Sequence, residues 1–186
     1  MKLYGSYTSP FVRHCRIALL ETGIDAEFIE TDQANSATKS PTKRVPFLED
    51  TTLNLTDSSS ILKYLRELAG QTFLKSVTEL DQFCLVNTAL DSTVNLFFLE
   101  RDGVDIKQVE YAKRQAARIE TSLAELNELS LPKQPPYNDV HLRLACYLAW
   151  GLLRKRITLI PYKNLLAFLE GMNSYSPFTS TQPPSQ

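Results

Sequence analysis

Histidine is nearly missing from this chain. His14 and His141 are the only two in 186 residues, and neither stands at metal-ligand spacing from another ligand-type side chain, so the sequence supports no metal site. Cysteine is scarce as well. Cys15, Cys84 and Cys146 form an odd, widely separated set with no Cys-x-x-Cys pair, which suits reduced thiols rather than a disulfide framework. His14 and Cys15 are adjacent and would diverge on a helix, which excludes them as a nucleophile and base pair. There is no Gly-x-Gly-x-x-Gly, no phosphate-loop Gly-Lys-[Ser/Thr] and no Gly-x-Ser-x-Gly, so dinucleotide, nucleotide and serine-hydrolase signatures are absent. An excess of charge is lacking too: 20 Lys+Arg against 21 Asp+Glu leave a formal net charge of -1. No broad field draws nucleic acid or anionic lipid. The longest uncharged apolar run, Leu144 to Leu153, has ten residues, well short of the roughly 20 that a bilayer span needs. The first residues become polar before a signal-peptide core can develop. A soluble, cytoplasmic protein is expected, with no nucleic acid and no membrane as partner.

What is present changes texture near residue 70. Before it, short strand-like runs alternate with helical patterns; after it, long amphipathic helices follow one another. Lys2 to Tyr7 reads as a strand ended by the hydroxyl-rich loop Ser6-Tyr7-Thr8-Ser9. Ser9-Pro10 has the form of a helix start, with a Ser cap and Pro in the first turn, and the helix runs to Thr22 before Gly23. Ala26 to Glu30 is a second strand. Val45 to Leu48 and Leu53 to Leu55 form a hairpin around Glu49 to Thr52, while Thr31 to Arg44 is polar and weakly patterned. Thr56-Asp57-Ser58 opens a helix with Ile61, Leu62, Leu65 and Leu68 at core spacing. The order is that of a thioredoxin-like lobe.

Helices are then expected over Val77 to Arg101, over Asp105 to Ser130, packed antiparallel on the first, over Asp139 to Lys155 and over Pro161 to Met172. Cys84 and Cys146 fall on apolar faces and read as core. In Ser174 to Gln186, eleven of thirteen residues are Ser, Thr, Pro or Gln, the composition of a mobile tail. The expected division is 1–72, 78–173 and a disordered 174–186.

Three short pieces of the first lobe stand out as chemistry-bearing: Ser9-Pro10-Phe11-Val12-Arg13, Arg44-Val45-Pro46, and Asp57-Ser58 at a helix start. In this order and at these separations they resemble the bacterial glutathione S-transferases, and the resemblance extends over nearly the whole chain. It implies the glutathione transferase fold, an α/β thioredoxin-like N-terminal domain followed by an all-α helical bundle, acting as a homodimer. It implies glutathione as co-substrate, with no permanently bound cofactor, and attack of its thiolate on a small hydrophobic electrophile, with glutathione peroxidase activity as an addition.

The resemblance gives Ser9 the catalytic role of donating a hydrogen bond to the glutathione sulfur, aided by the helix N-terminus. Tyr7 and Thr8 are rival hydroxyls. It gives Val45-Pro46 the part of a cis-proline turn whose preceding residue pairs with the cysteinyl backbone like an added strand; Pro46 starting an edge strand is the plain alternative. Ser58 and the helix start are matched to the γ-glutamyl carboxylate, and Asp57 to its ammonium, although Asp and Ser would equally cap a helix that binds nothing. Arg44 is the cation for the glycyl carboxylate, or an ordinary solvated side chain. An electrophile pocket between the lobes would involve Phe11, Asn95 and Phe98, the polar stripe around Asn95 being otherwise a solvent-facing surface.

Two departures from the family pattern stand in the sequence. Lys43-Arg44 occupies the place of Gly-Lys, and Pro136 stands where a capping hydroxyl precedes Asp139. Because a fold does not dictate an activity, a non-catalytic binding or regulatory protein similar to stringent starvation protein is the alternative reading.

Overall fold

A computed structural model describes residues 1–184, in two compact units: Met1–Lys75 together with the segment from Asn173, and Ser76–Met172. The first unit holds β1 (Lys2–Gly5), α1 (Pro10–Thr22), β2 (Glu27–Glu30), α2 (Gln33–Lys39), β3 (Phe47–Glu49), β4 (Asn54–Leu55) and α3 (Ser58–Leu68). The strands form one mixed sheet in the order β2-β1-β3-β4. β1 pairs parallel to β2 and antiparallel to β3, with Leu3 opposite Leu48 and Tyr4 opposite Phe47. The last pair stacks its rings at 4.5 Å, and the Tyr4 hydroxyl donates to Glu49 at 2.7 Å, so side chains as well as the ladder fix this register.

α1 and α3 pack together, burying Val12, Cys15, Ile17 and Ala18 against Ile61, Leu62 and Leu65. α1 ends as its sequence predicts, at Gly23 with φ 67°, whose N–H reaches the Leu19 carbonyl. α2 was not foreseen. Its Asp32 cap accepts from Asn35 N–H at 2.7 Å, and most of the helix is exposed, so no apolar period marks it.

The expected mobile tail is instead folded through residue 184. After Asn173, Tyr175 leads into the short α8 (Ser176–Thr179), and Phe178 and Thr181 are buried. The Tyr175 hydroxyl donates to Glu21, which also holds the buried Arg66 at 2.5 Å. Two aromatic anchors and the buried polar side chains they meet supply the burial that the composition of this segment appeared to deny. Ser185 and Gln186 lie outside the described residues.

The second unit is helical: α4 (Val77–Arg101), α5 (Glu110–Asn127), α6 (Asp139–Leu153) and α7 (Lys163–Gly171). α4 packs against both α5 and α6, and α7 against the latter two. Being buried on two sides, α4 hides polar residues along with Phe83, Val86, Ala89 and Leu90. Thr93 bonds Tyr147 of α6 at 2.9 Å, and Ser92 donates to Gln115 of α5 at 2.9 Å. Cys84, expected in the core, is exposed one residue past Phe83, whereas Cys15 and Cys146 are buried. The expected helix from Asp105 breaks at Val109 (φ -105°, ψ 113°): a short 3-10 turn, Ile106–Gln108, capped by Asp105, precedes α5. With Pro136 in place of a hydroxyl, α6 is capped by Asn138, whose side chain accepts from His141 N–H while His141 Nδ1 accepts from Asn138 N–H.

Candidate functional site

The candidate residues of the first unit lie where β1 ends, where β3 begins and where α3 begins. Because β3 runs antiparallel to β1, its first residue Phe47 sits beside Tyr4 near the exit of β1. The chain just before β3 therefore adjoins the loop that carries β1 into α1. α3 meets α1 at its own start, where the Cys15 thiol lies 4.0 Å from the Ser58 carbonyl.

Ser9 is the N-cap of α1, extended at φ -79° and ψ 127°, and Pro10 fills the first helical position without leaving a donor unsatisfied. Its N–H closes a turn to the Ser6 carbonyl at 3.0 Å. Its Oγ accepts a long bond from Val12 N–H at 3.4 Å. Among the described residues no acceptor takes the Ser9 hydroxyl proton, so that donor is uncommitted at a helix N-terminus, where exposed N–H groups and the macrodipole favour an anion.

The two rival hydroxyls are placed differently. Thr8 Oγ1 and Ser6 Oγ share a hydrogen bond at 3.1 Å, and Thr8 N–H also donates to Ser6 Oγ. The Tyr7 ring packs on Phe28 of β2 at 4.7 Å with the Arg16 guanidinium 4.6 Å above it. β2 and β3 flank β1 on opposite sides, so Tyr7 leans to the edge away from Val45-Pro46. Burial lowers the pKa of Arg16, and the nearby Tyr7 opposes that shift.

Val45-Pro46 is a cis peptide, as the resemblance implied. Among the described residues the backbone N–H and C=O of Val45 make no hydrogen bond, which leaves a donor and an acceptor side by side at the opening of β3. Ahead of them Lys43 adopts φ 53°, the left-handed conformation that glycine favours, at the place where the family pattern carries Gly. Arg44 is exposed.

Asp57, exposed as a residue, caps α3, taking Ser59 N–H on Oδ1 at 2.7 Å. Ser58 is the first helical residue and 5% exposed. Phe11 is half-buried on α1, while Asn95 is exposed and Phe98 is 38% exposed on α4 of the second unit. Among the described residues no group of three or more His, Cys, Asp or Glu is arranged to hold a metal. No helix there is long and apolar enough to cross a membrane.

Arg13 belongs to the singled-out piece Ser9-Pro10-Phe11-Val12-Arg13 but was given no role of its own, and Arg16 lies outside it. Both are fastened to the C-terminal segment, and with Ser9 they form an i, i+4, i+7 stripe on α1, a spacing readable in the sequence.

A mixed sheet flanked by α1 and α3, followed by an all-helical unit, defines the two-domain architecture of glutathione transferases. Residues 3–73 match the family model for the glutathione S-transferase N-terminal domain. The chain is thus similar to the glutathione S-transferases, in sequence over residues 3–73 and in fold over nearly its whole length. A glutathione S-transferase from Methylobacillus flagellatus, solved with GSH bound, superposes with a TM-score of 0.84 at 22% identity, covering 98% of this chain and 99% of its own. A family member from Pseudomonas fluorescens with bound glutathione gives 0.85 at 19% identity, covering 99% of each chain. The uncharacterized GST-like protein YibF of Escherichia coli is 52% identical over 52 residues, a stretch spanning 26% of this chain and 26% of that relative.

Proposed function

We propose that the protein is a glutathione transferase that steadies the glutathione thiolate through Ser9 and passes its sulfur to a small hydrophobic electrophile. One observation carries the reading: the Ser9 hydroxyl proton has no acceptor among the described residues, at the N-terminus of α1. A free thiol ionises near pKa about 8.5. A hydrogen bond to a charged acceptor contributes about 1.5–3 kcal/mol, or one to two pKa units, enough to populate the thiolate near neutral pH. The thiol proton leaves to solvent, the sulfur lone pair forms the C–S bond, and the electrophile's leaving group departs with its bonding pair. No general base is required.

The remaining groups suit the rest of the tripeptide. The unpaired N–H and C=O of Val45, beside Pro46, offer strand-like pairing to its cysteinyl unit. Ser58 at the start of α3 suits the γ-glutamyl carboxylate, the exposed Asp57 the ammonium, and exposed Arg44 the glycyl carboxylate. Phe11 of α1 is assigned to the electrophile. Peroxide reduction by the same thiolate, homodimer formation and a cytosolic setting belong to this reading. The setting accords with three free cysteines.

The test is retention on immobilised glutathione, then turnover with a panel of chlorinated aromatics and an organic hydroperoxide. Ser9→Ala is expected to lower kcat/KM by about 10- to 100-fold, with Tyr7→Phe and Thr8→Val near wild type. A Ser9→Ala enzyme of full activity beside an inactive Tyr7→Phe would move the role to Tyr7. Absence of both retention and turnover would favour the non-catalytic binding protein.

A further inference from the structure

The first turn of α1 is held from two directions. On the sheet side Gly5 ends β1 directly against it: a Cβ built on Gly5 would lie 2.5 Å from Val12 Cγ1, so only glycine lets the helix start this close to the strand. The other hold comes from the far end of the chain. Arg13 is 4% exposed. Its Nη2 donates to the Phe178 carbonyl at 2.7 Å, its Nε to Thr181 Oγ1 at 3.4 Å, and its guanidinium stacks on the Phe178 ring with 3.8 Å to the centroid. Arg16, a turn further on, donates to the Thr181 carbonyl at 3.3 Å.

Arg13 closes the turn that Ser9 opens, since its N–H donates to the Ser9 carbonyl at 2.9 Å. A helical side chain lies over the turn preceding it, so the clamp on Arg13 bears on the residues from Ser9 onward. We infer that Arg13, gripped by the C-terminal segment around Phe178 and Thr181, is a positioning residue that holds Ser9 and the N-terminus of α1 at the place of the glutathione sulfur. This inference rests on the thiolate reading above. The other titratable groups bearing on α1 include His14, Cys15 and Arg16 on the helix itself, Tyr7 beneath the Arg16 guanidinium, Glu21 at the far end of the helix with Arg66 of α3, and Tyr175 of the C-terminal segment. Arg13 is the one charged side chain in the turn that begins with Ser9.

The experiment titrates glutathione bound to the full chain by its ultraviolet thiolate absorbance, alongside the pH profile of kcat/KM. It compares wild type, Ser9→Ala, Arg13→Met, Arg13→Lys and the milder Phe178→Leu. Arg13→Met is expected to raise the half-ionisation pH of bound glutathione by about one unit and to lower kcat/KM near neutrality about tenfold. KM for glutathione is expected to change by less than about threefold, because the other contacts of the tripeptide stay. Arg13→Lys and Phe178→Leu should shift the profile the same way by less. A folded Arg13→Met protein with the wild-type profile overturns the inference. If that variant does not fold, an unshifted profile in Phe178→Leu overturns it instead. A shift in Ser9→Ala without one in Arg13→Met sinks the inference alone. Bound glutathione that ionises like free glutathione in wild type, unchanged by Ser9→Ala, sinks the thiolate reading and this inference with it.

Discussion

In the second unit buried polar side chains pair across helices, Thr93 with Tyr147 and Ser92 with Gln115, and the half-buried Asn164 bonds the side chain and backbone of Asn127, while Asn87 Oδ1 and Arg154 Nε are exceptions without a hydrogen-bond partner among the described residues. In the first unit the Ser9 hydroxyl proton and the Val45 backbone pair, near the candidate site, have no partner among the described residues. Matched partners make a helical core rigid and specific. Unmatched donors and acceptors at strand and helix ends are what a ligand can use. The contrast teaches where each kind of substitution should register: in stability for the second unit, in chemistry for the first.

The largest effect tests that division directly. Phe83 is 2% exposed beneath the Arg143 guanidinium, whose carbon lies 5.1 Å from the ring centroid, and Phe83→Ala should destabilise by about 3–5 kcal/mol in denaturant unfolding. Ser9→Ala should lose only about 1 kcal/mol of stability, the worth of an N-cap, while losing most of the activity. Equal destabilisation by the two would erase the contrast.

A smaller effect comes from the capping box of α6. His141 accepts through Nδ1 only when neutral, and burial lowers its pKa from the ordinary value of about 6.5, with Glu79 opposing the shift. The folded state therefore disfavours the imidazolium. This contribution to stability is fully present above about pH 6.5, declines as pH falls through that value toward the lowered folded pKa, and levels off below it. His141→Gln should flatten that part of the curve of Tm against pH, and Asn138→Ala should cost about 1 kcal/mol at neutral pH. A wild-type Tm indifferent to pH between about 5 and 7 would remove the box from the account.

The smallest change sits in the first unit. Lys43 holds φ 53°, which disfavours a residue bearing a Cβ by about 1–2 kcal/mol, against about 0.5–1 kcal/mol of extra backbone entropy that glycine loses on folding. Lys43→Gly should raise stability by a few tenths of a kcal/mol in urea unfolding and leave turnover unchanged if Arg44 keeps its position. A loss of stability would show that other contacts hold this loop.

Much of the fold was legible because its signals are local. Ser9 before Pro10, Gly23 after Thr22, the apolar spacing of Ile61, Leu62 and Leu65, and the span Val77–Arg101 each declare themselves within a few turns of chain. α2 was not legible, since a mostly exposed helix has no apolar period to display. Cys84 was misjudged because α4 is buried by two neighbours at once, and a one-stripe reading cannot say which residues fall outside both contacts. The C-terminal segment was misjudged because its composition outweighed Tyr175 and Phe178, whose partners Glu21 and Arg13 lie more than 150 residues away in the chain.

For the site the division is similar. Helix starts depend on neighbouring residues, so the order of amino acids by itself determined that Ser9 caps α1, that Asp57 caps α3 and that a Val-Pro turn precedes β3. The surroundings of the three adjacent hydroxyls were decided by tertiary structure. The Tyr7 ring lies against Phe28 and Arg16, Thr8 shares a hydrogen bond with Ser6, and Ser9 keeps the cap of α1, because side-chain contacts depend on what folding brings within reach.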